Sequence, residues 1–322
     1  MYYTINGSNV SVVHENSTEP YYTTFPAGDL IIPATVTYRG TTYNVTSISD
    51  HAFYRCTGLI TVSIANSITF IGNYAFTDCS SMTSVNIPDG VTAINWNTFA
   101  GCANLTSITI PNSVISISGG AFMHSGLTSV VIPSSVASFD YNAFCHCTNL
   151  TTVYFNAANS VLYGSDYPPF NECPNISTIY FGGNVTNIPG YAFARCTGVT
   201  SIYFNTATPP TCGTGCFDDI SNDATIYVPC GSYDAYYNTT ALFRFTNIQE
   251  TGCSPAGATI RAEGNNIVVD GAAGNTVTLY DNGDNVVASA VAGPTQRFES
   301  LAAGTYYVKI GILPAKMKVV VE

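Results

Sequence analysis

The chain has 322 residues, of which 46% are hydrophobic and only 9% are Asp, Glu, Lys or Arg, against about 25% charged in ordinary soluble proteins. The polar surface must therefore come from Ser, Thr, Asn and Tyr. Residues 1–254 carry fourteen acids, four Arg (Arg39, Arg55, Arg195, Arg244) and no Lys, a net charge of −10, which repels phosphate backbones and anionic membranes and argues against nucleic-acid partners. No run of about 18 apolar residues is present, so no transmembrane helix is expected.

Residues 255–322 are different in kind. They hold six acids and five bases, and all three Lys (Lys309, Lys316, Lys318) fall in the last fourteen residues. The change predicts two separate units. At the start there is no signal-peptide pattern. The chain opens straight into an alternating β pattern, Tyr2 to Ile5 before Asn6-Gly7, as a mature or trimmed form would. Residues 1–50 read as an N-terminal β cap.

From residue 51 a repeat sets the organisation. Phe recurs at 53, 76, 99, 122, 144, 170, 193 and 217, and Cys follows three places later at 56, 79, 102, 147, 173 and 196. An aliphatic residue follows at six places (Leu59, Met82, Leu105, Leu150, Ile176, Val199), or one place early at Leu127. Short alternating stretches come next, such as Thr83–Pro88, Thr106–Pro111 and Ser129–Pro133. A unit of about 23 residues cannot bury its own apolar side, so the units must stack and pool their Phe, Cys, Leu and Ile into one core. The alternating stretch reads as a strand with Val and Ile inward, ended by a Pro that lacks the amide hydrogen. Eight coils at about 4.8 Å each would make a rod of order 40 Å.

The unit IPDGVTAINWNTFAGCANLTSITIP (87–111) resembles the BspA-like class of leucine-rich repeats, and the resemblance covers roughly residues 50–230. The segment YNVTSISDHAF (43–53) is similar to that family's opening, and IYVPCGSYDAYYN (226–238) with FRFTNIQE (243–250) to its closing cap. Departures are a missing residue in the fourth repeat, an insertion around Tyr163–Pro169, and Ile220 where Cys is expected. The resemblance implies a leucine-rich-repeat solenoid over 51–252, including its closing cap. It further implies a bacterial surface or secreted protein, often from Bacteroidetes, with a role in adhesion.

Residues 253–322 read as a linker and a small, mainly β domain. The linker signal is Thr251–Gly257. Strands are expected at Asn266–Val269, Thr276–Tyr280, Asn285–Ala288, Gly304–Ile310 and Met317–Val321, with a turn signal at Gly274-Asn275. Several strands in so short a span suggest a β-sandwich. VTLYDNGDNVVAS and the ending GTYYVKIGILPAKMKVVVE resemble the C-terminal secretion or sorting domain of exported Bacteroidetes proteins, and a plain immunoglobulin-like spacer is the alternative.

The chemistry-bearing residues are sparse. The six Cys of the repeat sit between buried Phe and Leu, where Cys serves as a small hydrophobe with a weak donor. Cys212, Cys216, Cys230 and Cys253 lie outside that register, around the closing cap, where a disulfide is expected although its pairing stays open. In Cys145-His146-Cys147, Cys147 is a core position, while Cys145 and His146 are expected to face outward. His124 shares the register of His146 one coil earlier, so the imidazoles should be neighbours, but zinc would need one or two further ligands. Asp281–Asn285 lacks the spaced ligands of a calcium loop and is expected to be a hairpin turn. No metal and no cofactor are expected. No phosphate loop, nucleophile elbow or zinc-protease signature occurs, although two glycosidase carboxylates could lie anywhere.

One register points to recognition. Ten residues after each Phe (nine in the short fourth repeat) comes an outward strand position, occupied in turn by Ser63, Asn86, Thr109, Val131, Tyr154, Tyr180, Tyr203 and Tyr227. Four tyrosines should line up on one face. Either they stabilise the ladder as cross-strand aromatic pairs, or they bind a host or neighbouring-cell protein or glycan. The expectation is a non-enzymatic, monomeric, extracellular or cell-surface binding protein, with a structural spacer and a cryptic glycan-active enzyme as alternatives.

Overall fold

In a computed structural model the structure describes residues 1–163, 168–239, 242, 244–251, 258–272, 276–283, 285–293, 295–310 and 317–321. Most of the insertion (164–167), all but the first residue of the linker (252–257, with Cys253) and the Gly274-Asn275 turn lie outside the described residues. The chain is mainly β, with a β-solenoid of about nine turns of roughly 23 residues. It divides into two compact units, Met1–Ile226 with Thr239–Asn247, and Tyr227–Asn238 with Ile248–Glu322.

The turn beyond the eight expected from the Phe register comes from the segment read as a cap. Strand Ala27–Ile32 pairs in parallel with Gly58–Ile64, setting Leu30 beside Val62 and Ile32 beside Ile64. Strand Thr41–Ile48 likewise pairs in parallel with Phe70–Ile71. This turn keeps the inward alternation of the later coils without their Phe and Cys, so the repeat count missed it. The hairpin of Tyr2–Asn6 and Asn9–Val13 then extends the sheet by pairing Asn9–Val13 with Thr41–Ile48.

Inside the stack the repeat Phe rings form a spine. From Phe53 to Phe193 successive centroids are 5.0–5.6 Å apart, with planes within 13° of parallel. All seven rings are fully buried. Most repeat Cys serve the coil before them: the thiols of Cys79, Cys102, Cys147 and Cys173 donate to the Phe carbonyls at 53, 76, 122 and 144 over 3.0–3.3 Å. A hydrophobe with one weak donor fits this place, because each Phe carbonyl already accepts a backbone N–H and offers its second lone pair to the thiol.

Among the described residues nine cysteines are free, including the six of the repeat. Cys230 is disulfide-bonded. Burial pushes the thiols of Cys56 and Cys196 up to about 12, so thiolate is scarce at neutral pH and these groups are unreactive while folded. Native protein should therefore expose at most the half-buried Cys212 to a thiol reagent, and denaturation without reductant should release nine thiols. Recovery of fewer than six would overturn the packing role.

Strand segments run along two sides of the stack. One row runs in parallel register through Ser129–Ile132, Thr152–Phe155, Thr178–Phe181 and Ser201–Phe204. The other runs through Ala93–Ile94, Ser116–Ile117, Ser138–Asp140 and Val161–Tyr163. The expected strand Thr83–Pro88 shrinks to Ser84–Val85. The Asn86 amide bonds both the N–H and the C=O of Ile64, at 2.7 and 2.8 Å, in place of a backbone partner. Thr106–Pro111 forms no strand, yet Thr109 is exposed and Ile110 buried, so the alternation survives without the ladder.

The second unit contains helix Tyr233–Tyr237 and seven antiparallel strands in two sheets. Thr259–Glu263, Asn266–Asp270 and Thr295–Phe298 make one; Val286–Val291, Thr276–Tyr280, Gly304–Ile310 and Met317–Val321 make the other. Ile267, Val269, Val277, Leu279, Phe298 and Val308 share one buried cluster drawn from both sheets. Asp281 closes its own turn by accepting from the N–H groups of Gly283 and Asn285, at 2.8 and 2.9 Å, between two paired strands. It is a hairpin turn.

Candidate functional site

The outward register of the strand face brings Tyr154, Tyr180 and Tyr203 together. Val131, Tyr154, Tyr180 and Tyr203 are direct parallel neighbours, because their inward companions Val153, Phe155, Ile179, Phe181, Ile202 and Phe204 are all buried. Tyr227 falls in the second compact unit. Rings 154 and 180 stack at 4.9 Å and 8°, and rings 180 and 203 at 4.6 Å and 17°. Two residues earlier on the same face, Thr152, Thr178 and Ser201 form a parallel row of hydroxyl side chains.

Rings stacked on each other cannot both offer their faces to a ligand: Tyr180 is covered on both sides, and the row presents ring edges and phenol hydroxyls. Burial, then the neighbouring Tyr154, raises the Tyr180 pKa, so its hydroxyl remains a neutral donor and acceptor. At the other end of the row, Tyr154 is 40% exposed and its in-register neighbour is only Val131, itself 50% exposed. The ring face of Tyr154 away from Tyr180 is therefore open.

Beside that open face lies a groove of about 600 Å3, absent from the sequence-based site. Val131 and Thr109 form its floor on the strand face, and the turns after successive strands supply Asp89, Asn112, Asn156 and Asn184. These turn residues stand twelve to fourteen places after their repeat Phe. A small polar side chain recurring just beyond the strand-ending position was the available signal, blurred by its variable offset. Gly182 shapes the wall: a Cβ there would stand 2.3 Å from Oδ1 of Asn156, so the missing side chain leaves room for that amide.

The Cys-His-Cys motif behaves otherwise. His124 and His146 do stack, at 4.6 Å and 5°, and Nδ1 of His146 lies 3.2 Å from the Glu172 carboxylate. Both His take left-handed backbone angles (φ 56°) in the turn after the Phe. Cys145, expected to face outward, is instead buried, and its sulfur accepts from the Asn171 amide at 3.8 Å. The chain swings outward only at the left-handed residue that follows it. Among the described residues no three His, Cys, Asp or Glu side chains are grouped to hold a metal, and no helix is long and apolar enough to cross a membrane.

The family described as BspA type leucine rich repeat region matches in six copies over residues 36–151 and 120–239. No match was found among curated proteins. Among solved structures, a leucine-rich repeat protein of Bacteroides ovatus is 19% identical, with 77% of this chain and 74% of that chain covered and a TM-score of 0.49. The T. pallidum leucine rich repeat protein is 19% identical over 69% of this chain and 89% of its own, with a TM-score of 0.45. A leucine rich cell surface protein of Faecalibacterium prausnitzii is also 19% identical, over 78% and 93%, with a TM-score of 0.32.

Proposed function

Because the chain belongs to the BspA-type leucine-rich-repeat family, we propose that it is a non-enzymatic extracellular or cell-surface binding protein. In this reading the C-terminal half of the strand face takes a host or neighbouring-cell protein or glycan. The observation that carries the reading is the row Tyr154, Tyr180 and Tyr203, which lies outside the core, in register, with its phenol groups at one strand spacing. Aromatic side chains with polar tips concentrate binding energy at interfaces. The weakly charged, Ser- and Thr-rich surface suits an exported protein. The two-sheet module of the second unit is then an immunoglobulin-like sandwich serving export or anchoring, and residues 252–257 are its linker.

Ring-on-ring stacking is also what a purely structural ladder would show, which makes a spacer the second reading. Replacing Tyr180 and Tyr203 together by Ser, the residue at the equivalent Ser63, separates the two. Parent and variant are compared on printed oligosaccharides and purified extracellular-matrix proteins, with the melting curve as control. Each lost anchor should cost about 1–2 kcal/mol of binding, at least tenfold in affinity for the pair, with the fold retained. A folded variant that binds as tightly as the parent rejects the surface. A variant that unfolds makes the ladder structural.

A further inference from the structure

We propose that the groove beside the tyrosine row is a subsite for a neutral oligosaccharide, with a sugar ring on the open face of Tyr154 above Val131. This rests on the tyrosine face being the binding surface, and adds the class of ligand and the place where a sugar ring seats.

Charge gives the first argument. No Lys or Arg lines the groove, and its one charged residue is Asp89. Residues 1–254 carry a net charge of −10, so sulfated, sialylated or uronate-rich chains are repelled. A carboxylate accepting from sugar hydroxyls has no such conflict.

Hydrogen bonding gives the second. Among the described residues, the side chains of Asp89, Thr109, Asn112, Ser134, Asn156 and Asn184 make no hydrogen bond within the protein, though all line one groove. Comparable side chains elsewhere in the solenoid are used internally: Ser113 and Ser135 donate to the carbonyls of Val91 and Val114 at 2.7 Å, and Asn86 is tied to Ile64. Amides and hydroxyls both donate and accept, which matches a ligand whose hydroxyls do the same.

Shape gives the third. The volume of about 600 Å3 lies within the roughly 300–1,000 Å3 of small-ligand clefts. Val131 lines the groove among the polar turns and Tyr154 is its in-register neighbour, so a pyranose could set its C–H face on the ring and its hydroxyls toward the amides. An added peptide strand fits less well. It would have to enter between two consecutive coils, and the Thr128 N–H bond to the Thr106 carbonyl, at 3.0 Å, holds those coils together.

The test applies the full chain to an array of neutral and anionic oligosaccharides, then measures the retained glycan by calorimetry against variants. Retention of a neutral glycan is expected, with at least tenfold loss in Asn156→Ala and in Tyr154→Ser. Gly182→Ala should also weaken binding, because its new Cβ displaces the Asn156 amide without removing it, while Ser107→Ala should bind as the parent does. Melting curves should be unchanged, since Asn156 makes no internal side-chain bond. Retention of anionic glycans alone, or neutral-glycan binding that ignores Asn156→Ala and Gly182→Ala, overturns the subsite. Glycan failure together with a matrix protein lost in the Tyr180→Ser/Tyr203→Ser variant overturns the sugar and leaves the tyrosine face standing. If the parent retains no probe of either kind, both readings fall.

Discussion

Phe99→Ala is expected to destabilise the solenoid by about 3–5 kcal/mol, the usual cost of deleting a fully buried phenyl ring. Phe99 is 0% exposed and stacks 5.6 Å from both Phe76 and Phe122, so its loss leaves a void that the neighbouring coils cannot close without breaking their own register. In a linear stack stability is a sum over coils and their interfaces. A central gap should therefore also broaden the transition, by uncoupling the turns on either side. Urea unfolding followed by far-ultraviolet circular dichroism reads both effects. Phe70→Ala is the control, because Phe70 is 48% exposed and should cost little. A shift of less than 1 kcal/mol for Phe99→Ala, or equal shifts for the two variants, would show that the Phe spine is not what holds the coils together.

Gly126→Ala should cost on the order of 1–3 kcal/mol, although it adds one methyl group. Gly126 stands just before the aliphatic Leu127, and its backbone lies close against the coil before it. The N–H of Gly126 donates to the Cys102 carbonyl at 3.1 Å, and a Cβ at this position would stand 2.1 Å from the Ala103 carbonyl oxygen and 3.4 Å from that of Leu105. Both obstacles are backbone, so the coil itself must shift. Gly198, just before the aliphatic Val199, makes the same approach, its Cβ position standing 2.0 Å from the Pro174 carbonyl oxygen. Thermal melts of Gly126→Ala and of Gly198→Ala should both show a loss. An unchanged melting temperature in Gly126→Ala would contradict the close approach.

Much of this architecture is legible in the sequence because it is periodic. The registers of Phe, Cys and the outward tyrosines can be counted, and the parallel pairing of Tyr154, Tyr180 and Tyr203 follows the count. What counting cannot supply is conformation. The tyrosines cover one another's faces because their rings stack from strand to strand, and no spacing encodes that. Leu30 and Ile32 build a turn without the marker residues, since only inward apolar side chains are needed to stack. Cys145 is buried because the chain turns outward one residue later, at His146. The groove escapes the sequence for another reason: Asp89, Asn112, Asn156 and Asn184 come from separate coils at unequal offsets, and only the fold brings them to one place.

The claim that ties these features together is that the strand face near Tyr154, Tyr180 and Tyr203 meets the ligand. Hydroxyl-radical footprinting of the full chain, free and saturated with whichever array probe it retains, tests that contact without any substitution. Oxidation of Tyr154, Tyr180 and Tyr203 is expected to fall several-fold on binding, while the distant exposed rings of Tyr2 and Tyr38, 45% and 53% exposed, are oxidised as before. Protection that leaves the three tyrosines untouched and appears elsewhere on the chain would contradict the account.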